Sequence, residues 1–138
     1  MTTTYIDWYQ RARHQNWGTP MALFERLNAE YRFDLDGAAT TEDALLPEAN
    51  TPEAPVSWEG RRVFCNPPWS VIPPFIEEAP KAELAVLLVP ARTNAKWFHR
   101  ALELGAAVRF FPGRPAFRHA DKHKGHNSPV DCVLLVFG

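Results

Sequence analysis

The chain has 138 residues, of which 46% are hydrophobic and 22% charged, and its 15 Lys and Arg nearly balance its 16 Asp and Glu. This length and apolar content predict one packed domain over residues 1–138 and exclude a disordered chain. No run approaches the roughly 20 apolar residues of a membrane span, and residues 1–10 lack a basic-then-apolar leader pattern. Two cysteines are too few to stabilise such a domain through disulfide bonds, so we expect a reducing, cytoplasmic setting.

The charge is unevenly distributed along the chain. Residues 1–70 carry 6 basic and 10 acidic side chains, whereas residues 71–138 carry 9 basic and 6 acidic ones. A basic half can bind a polyanion such as DNA, because Lys and Arg side chains neutralise phosphates. A solvated surface is the alternative interpretation, and composition alone favours it.

The first predicted element is a helix that starts near Thr19 and Pro20. Residues 1–16 show no clear period and are expected to be irregular. Thr19 is expected to cap the helix, with Pro20 as its first residue. Its apolar face would consist of Met21, Leu23, Phe24 and Leu27.

Strands and helices then alternate along the chain. Strands are predicted over 31–36, 62–65, 83–89, 107–111 and 131–137, and helices over 72–82 and 93–104. The continuous apolar run at 83–89 is typical of a strand buried on both faces. Residues 40–60 are expected to form a connection with one helical turn near 41–46, and residues 112–129 a long loop. The alternation predicts an α/β fold with a mixed sheet of about five strands, the last two antiparallel.

Three segments follow the carboxyl ends of predicted strands. They are Asp36-Gly37-Ala38-Ala39, Asn66-Pro67-Pro68-Trp69 and Pro90-Ala91-Arg92. Ligands of open α/β sheets bind outside the carboxyl ends of the strands. The sequence therefore predicts one site built from these three segments.

The segment Asn66-Pro67-Pro68-Trp69 suits an exocyclic amine such as N6 of adenine. The Asn66 side-chain oxygen and the Pro67 carbonyl can each accept one N–H, so that the nitrogen lone pair points toward an electrophile opposite. The two prolines hold the carbonyl rigidly, and Trp69 offers a face for stacking of the base. The structural alternative is a rigid turn beside a core tryptophan.

This tetrapeptide resembles motif IV of the S-adenosylmethionine-dependent amino-methyltransferases, Asp/Asn-Pro-Pro followed by Tyr, Phe or Trp. Other segments in matching order make the chain similar to the phage-type DNA N-6-adenine-methyltransferase family from about residue 16 onward. They are Trp17-Gly18-Thr19-Pro20, Leu23-Phe24-Glu25, Phe33-Asp34-Leu35-Asp36, Ala38-Ala39-Thr40, Pro90-Ala91-Arg92-Thr93, Trp97-Phe98-His99 and Gly113-Arg114.

The resemblance implies a reduced Rossmann-like methyltransferase fold, S-adenosylmethionine as cofactor and DNA as partner. It also implies adenine N6 methylation, with Asn66, Pro67, Pro68 and Trp69 as the catalytic segment. Cytosine N4 methylation presents the same amine chemistry and is one alternative. A non-catalytic relic that binds DNA or cofactor is the other.

The resemblance also implies cofactor-binding roles. Asp36 with Gly37, Ala38 and Ala39 resembles a shortened motif I, in which Asp36 would pair with the methionine ammonium and Asp34 would assist. Thr19 and Pro20 resemble the N-terminal motif that closes over the cofactor. A capping or turn role is the alternative for the two acids.

One departure from the family pattern concerns the cofactor ribose. Full-size enzymes place two more strands between these motifs, and one carries an acid for the ribose. Only 29 residues, Gly37 to Cys65, separate the motifs here, and a single βαβ unit needs about 30. Glu42 or Asp43 is the substitute we expect. Weak cofactor binding, or a homodimer that completes the adenosine pocket, would follow.

Basic residues near the predicted edge and loop are expected to contact DNA phosphates while a base is flipped: Arg92, Arg114, Arg118, Lys122 and Lys124. No metal site is expected, because the loop histidines at 119, 123 and 126 lack a matching Cys or carboxylate set. Cys65 and Cys132 lie in apolar strands and are expected to be buried thiols. Cys65 has no evident base, which argues against a nucleophilic role.

Overall fold

A computed structural model describes residues 17–39, 43–113, 116–119, 122–127 and 130–138. The five strands of its main sheet are β2 (Leu35–Asp36), β3 (Arg62–Cys65), β4 (Leu84–Pro90), β5 (Ala107–Arg109) and β8 (Cys132–Phe137). They lie in the order β2-β3-β4-β8-β5. Strands β2, β3 and β4 are mutually parallel, and β8 is antiparallel to both of its neighbours, β4 and β5. The α/β class, the mixed five-stranded sheet and the antiparallel pairing of its last two strands are confirmed.

Strand β4 is the centre of the sheet, and its side chains are buried on both faces. Alternate residues enter two separate apolar clusters, since successive side chains of a strand point to opposite faces. Ala85, Leu87 and Val89 belong to the first cluster, and Val86 and Leu88 to the second. The continuous apolar run thus indicated a fully covered strand correctly.

Three helices cover the two faces of this sheet. Helices α2 (Ile72–Glu78) and α3 (Lys96–Glu103) contribute Ile72, Phe75, Ile76, Phe98 and Ala101 to the first cluster. Helix α1 (Met21–Tyr31) contributes Leu23, Phe24 and Leu27 to the second. The sheet therefore lies between two layers of helices, and the candidate site lies at the ends of the strands.

Helix α1 differs from the prediction at both ends. Pro20 occupies the N-cap position and Thr19 lies outside the helix, so the predicted cap at Thr19 is wrong. The helix continues to Tyr31 and ends where Arg32 adopts a left-handed conformation with φ 55°. The strand predicted over 31–36 is therefore only two residues long, Leu35–Asp36. The first residues of the predicted strand instead form the end of the helix and the turn that follows it.

The other two helices are shorter than predicted. Helix α2 ends at Glu78 and is followed by a 3-10 turn over Ala79–Lys81. Helix α3 begins at Lys96 rather than at 93, because Arg92–Ala95 forms a turn closed by the Ala95 N–H donating to the Arg92 carbonyl at 3.0 Å. Gly105, with φ 99°, follows the helix at its predicted end.

The long loop predicted over 112–129 contains a β-hairpin, which corrects that expectation. Strands β6 (Ala116–His119) and β7 (Lys122–Asn127) pair antiparallel, and β1 (Trp17–Gly18) adds to β6 as a third strand. The strand β7 has almost no apolar residues, so no alternation of apolar and polar residues marked it. The predicted helical turn lies partly outside the described residues, and residues 43–46 are not helical. Residues 1–16 also lie outside the described part.

Candidate active site

The carboxyl ends of three parallel strands meet at one edge of the sheet. Asp36 is the last residue of β2 and pairs in register with Phe64 of β3. Asn66 directly follows β3, and Arg92 lies two residues beyond β4. Strand β5 is also parallel to β4, since both are antiparallel to β8. The three predicted segments thus lie on one side of the fold.

Asn66 contacts the segment that precedes helix α1. Its side-chain amide nitrogen, Nδ2, donates a hydrogen bond to Thr19 Oγ1 at 3.2 Å. Thr19 is only 4% exposed, and Asn66 is half-buried. The structure therefore brings together two residues that are 47 positions apart and that were assigned to different motifs.

The residues after Asn66 form a rigid entry into helix α2. Pro67 is buried, and the hydrogen bonds of the described residues leave its carbonyl without a donor. The Pro68 carbonyl accepts the Val71 N–H at 3.0 Å and starts a 3-10 turn over Trp69–Val71. Trp69 is half-buried and packs against both apolar clusters. Its ring is thus partly a core element, with the remainder at the surface.

Asp36 is a buried carboxyl group at the centre of this edge. It is 3% exposed, and its two oxygens accept the Ala38 N–H at 3.3 Å and the Leu45 N–H at 3.0 Å. Burial raises the pKa of Asp36 from 3.8 to about 7, against the lowering effect of those two hydrogen bonds, and nearby Asp43 raises it slightly further. No cation of the described residues counters this rise. A positively charged ligand beside this carboxyl group would favour its ionised form.

Gly37 is enclosed by hydrophobic side chains. A Cβ atom at this position would lie 2.6 Å from Trp58 Cζ2 and 2.7 Å from Val63 Cγ1, closer than real side chains approach. Its N–H donates to the Phe64 carbonyl at 2.7 Å, which ties the turn to β3. The absence of a side chain at Gly37 is therefore required by the packing of Trp58, a reason that the motif alone did not reveal.

Asn50 is a residue of this site that the sequence analysis missed. It is 1% exposed, its Nδ2 donates to the Gly37 carbonyl at 3.0 Å, and its Oδ1 accepts the Val56 N–H at 2.8 Å. Its backbone N–H donates to the Asp36 carbonyl at 2.8 Å, beside a parallel bridge between Asp36 and Ala49. The connecting segment thus covers the edge of β2 where a further strand would pair. In the sequence, Asn50 is an isolated Asn among acidic residues and prolines, with no other sign of its role.

Asp34 lies away from the turn that follows Asp36. Its carboxylate is half exposed, accepts from Arg61 Nε at 3.1 Å and also accepts the Arg62 N–H at 3.1 Å. Arg61 pairs with Glu48 as well. Asp34 therefore helps to hold β2 against β3, and the structure does not bring it together with Asp36.

The predicted DNA-contacting residues divide between the sheet edge and the hairpin. Arg92 is exposed at the carboxyl end of β4. The backbones of Arg118, Lys122 and Lys124 lie in the hairpin strands β6 and β7, and Arg114 lies outside the described residues. Gly18 pairs with Arg118, so the hairpin adjoins the chain that leads into Thr19.

Cys65 and Cys132 are buried free thiols, as predicted, and burial raises the pKa of Cys65 well above its usual value. A thiolate nucleophile at Cys65 is thereby disfavoured.

Within the described ranges, no group of three or more His, Cys, Asp or Glu side chains is placed to hold a metal ion. None of the helices described is long and apolar enough to cross a membrane.

Comparison with known protein families shows which family the chain resembles over most of its length. The family described as DNA N-6-adenine-methyltransferase (Dam) matches residues 8–138, nearly the whole chain. Neither a curated protein nor a solved structure shows significant similarity.

Proposed function

The chain belongs to the DNA N-6-adenine-methyltransferase family, and from this membership we propose that it transfers a methyl group from S-adenosylmethionine to N6 of adenine in DNA. The observation that carries the proposal is the position of Asn66. Its amide lies at the carboxyl edge of the sheet, next to the Pro67 carbonyl and on the same side as the buried carboxyl group of Asp36. Two groups that can accept from an amine and a buried carboxyl group thus share one edge.

The residues at this edge fit the cofactor that the family implies. S-adenosylmethionine, when bound, supplies an electrophilic methyl group and carries an ammonium and a carboxylate on its methionine part. Asp36, buried and without a cation of the described residues to lower its pKa, suits the ammonium. The turn formed by Gly37, Ala38 and Ala39, together with Thr19 and Pro20, would form the surrounding wall. Of the residues predicted to bind the cofactor, Asp34 is the least suited to do so, because its carboxylate already pairs with Arg61.

Asn66 and Pro67 would orient the target amine. The lone pair of an aromatic exocyclic nitrogen is delocalised into the ring, so the nitrogen is a poor nucleophile. If the Asn66 side-chain oxygen and the Pro67 carbonyl each accept one of its N–H groups, the nitrogen becomes more nearly tetrahedral and its lone pair points in one direction. The two prolines and the 3-10 turn fix the acceptor carbonyl. The part of Trp69 that stays at the surface would stack on the base.

The hairpin and Arg92 would hold the DNA. Lys and Arg side chains on phosphates fix the register of a duplex without reading its sequence. The target base must leave the stack to reach Asn66, and contacts that hold the phosphate backbone would favour that step. A short hairpin offers little surface for reading bases, so we expect low sequence specificity.

The test has a binding step and a chemical step. Calorimetric titration of the purified chain with S-adenosylmethionine, and then with S-adenosylhomocysteine, is expected to give dissociation constants near the micromolar range, about −8 kcal/mol. Incubation with duplex DNA followed by nucleoside analysis is expected to yield N6-methyladenine. Asn66→Ala is expected to abolish transfer while DNA binding is retained.

Three results would contradict the proposal. N4-methylcytosine as the sole product would reassign the substrate. Equal transfer by Asn66→Ala and the wild type would remove the role given to Asn66. DNA binding with neither cofactor binding nor transfer would favour a non-catalytic binding module.

A further inference from the structure

We propose that Thr19 is a positioning residue that holds the Asn66 side chain in place, an inference that rests on the proposed function. The sequence assigned Thr19 to cofactor binding and to the cap of helix α1. In the structure it caps no helix, and its Oγ1 accepts a hydrogen bond from Asn66 Nδ2 at 3.2 Å. Thr19 thus acts on the amine acceptor through Asn66.

The contact restrains the side chain on which the proposed amine contact depends. Rotation of the Asn66 side chain would carry its oxygen away from the Pro67 carbonyl, with which it would share the target amine. The hydrogen bond from Asn66 Nδ2 to Thr19 Oγ1 opposes that rotation. Thr19 therefore acts by holding the Asn66 side chain in one place.

The surroundings of Thr19 are suited to this role. Thr19 is 4% exposed, so water competes little for its hydroxyl. Pro20 follows it, and the first hydrogen bond of helix α1, from the Phe24 N–H to the Pro20 carbonyl at 3.1 Å, fixes the chain immediately after it. On its other side, β1 pairs with the hairpin. Thr19 is therefore held from both directions, and its hydroxyl lies at a defined position.

The first experiment compares Thr19→Val with Thr19→Ser. Valine keeps the shape and removes the hydroxyl, and the loss of one hydrogen bond is expected to lower kcat by about tenfold. The dissociation constant for S-adenosylhomocysteine and the KM for DNA should change by less than about twofold, because Thr19 acts on the reacting geometry. Thr19→Ser restores the hydroxyl and should recover most of kcat.

A matched control is Thr51→Val. Thr51 is also a buried threonine, 6% exposed, whose Oγ1 accepts the Ala54 N–H at 3.0 Å in the connecting segment. Its replacement should lower the melting temperature as Thr19→Val does and leave kcat within about twofold of the wild type. A general loss of packing would affect both variants alike.

The outcomes separate the inference from the proposed function. A wild-type chain that transfers no methyl group overturns both. An active wild type with an equally active Thr19→Val variant overturns only the inference. So does a Thr19→Val variant that raises the dissociation constant for S-adenosylhomocysteine but keeps kcat, which would return Thr19 to cofactor binding.

Discussion

The side chain of Asn50 closes the turn at Gly37, with its Nδ2 donating to the Gly37 carbonyl at 3.0 Å. The same side chain accepts the Val56 N–H at 2.8 Å, so one buried amide links the turn after β2 to the segment that covers it. That segment stands at the edge where longer relatives of the fold are expected to have further strands. A single buried residue thus replaces part of the support that a neighbouring strand would provide.

Asn50→Ala is expected to lower the free energy of unfolding by about 2–4 kcal/mol. The change leaves the buried Gly37 carbonyl and the partly buried Val56 N–H without their partner, and each unsatisfied group costs about 1–3 kcal/mol. Urea denaturation measures the effect. Asn94→Ala, at an exposed position of the chain, is the control and should stay within about 0.5 kcal/mol of the wild type. Equal stabilities of the two variants would show that the Asn50 amide does not hold the turn.

Gly37→Ala is expected to destabilise the fold by about 1–3 kcal/mol through overpacking. The added methyl would lie 2.6 Å from Trp58 Cζ2 and 2.7 Å from Val63 Cγ1, and both of those side chains are fully buried. Little free space is left for either to move into.

A double-mutant cycle with Trp58→Phe tests this assignment. Phenylalanine lacks the atom that meets the new methyl, and the change also removes an indole N–H that has no acceptor among the described residues. The double variant should therefore lose less stability than the two single changes together. Additive losses in thermal unfolding would show that Gly37 and Trp58 are not coupled.

Asp36 should make stability fall as the pH rises from about 4 to about 7. Its pKa is about 7 in the folded chain and near 3.8 when unfolded, so the folded state binds more protons between those values. Unfolding then releases a proton, and its free energy declines with rising pH, by a few kcal/mol at most over the whole interval. Below pH 4 and above pH 7 the contribution of Asp36 is constant.

Urea titrations of the wild type and Asp36→Asn at pH 5 and pH 8 isolate this effect. The free energy of unfolding of Asp36→Asn should increase relative to that of the wild type as the pH rises, because Asn cannot ionise. Cofactor binding should show the opposite trend and strengthen up to about pH 7, since an ammonium pairs with the charged carboxylate. A difference that stays the same at both pH values would refute the raised pKa.

Combined replacement of Arg114, Lys122 and Lys124 by Ala is expected to weaken DNA binding. The logarithm of the binding constant should also depend less steeply on the logarithm of salt concentration, by up to about 3 units if all three contact phosphates. The control removes Arg32 and Lys81, two exposed cations near the amino ends of β2 and β4. An unchanged salt dependence in the triple variant would place the phosphate contacts elsewhere.

Those parts of the fold that bury apolar residues were predictable from the sequence. Strands β3, β4 and β8 lie within one residue of their predicted bounds, because apolar runs bounded by Pro, Gly or charged residues define them. The hairpin was not predictable in this way. Residues 122–127 are held by backbone pairing, and backbone hydrogen bonds leave no signature in a polar sequence.

The candidate site was predictable in its position and less so in its contacts. The parallel strands explain why segments 30 residues apart reach one edge. Asn50 was missed because a buried amide in a connection looks the same in sequence as an exposed one. The contact between Thr19 and Asn66 depends on where α1 enters the fold, which local patterns do not determine. A glycine is needed at position 37 because of the packing of Trp58, which is 21 positions away in the sequence.

Strand β1 consists of two residues, and its second, Gly18, pairs with Arg118 of the hairpin. Thr19 is the next residue, so a single peptide bond joins the hairpin's partner strand to the residue that contacts Asn66. Any sliding or tilting of the hairpin against β1 must be transmitted through that bond or break the pairing. Under the proposed function, binding of DNA by the hairpin and alignment of the Asn66 amide would therefore be mechanically linked, and a duplex that binds poorly to the hairpin would also react slowly.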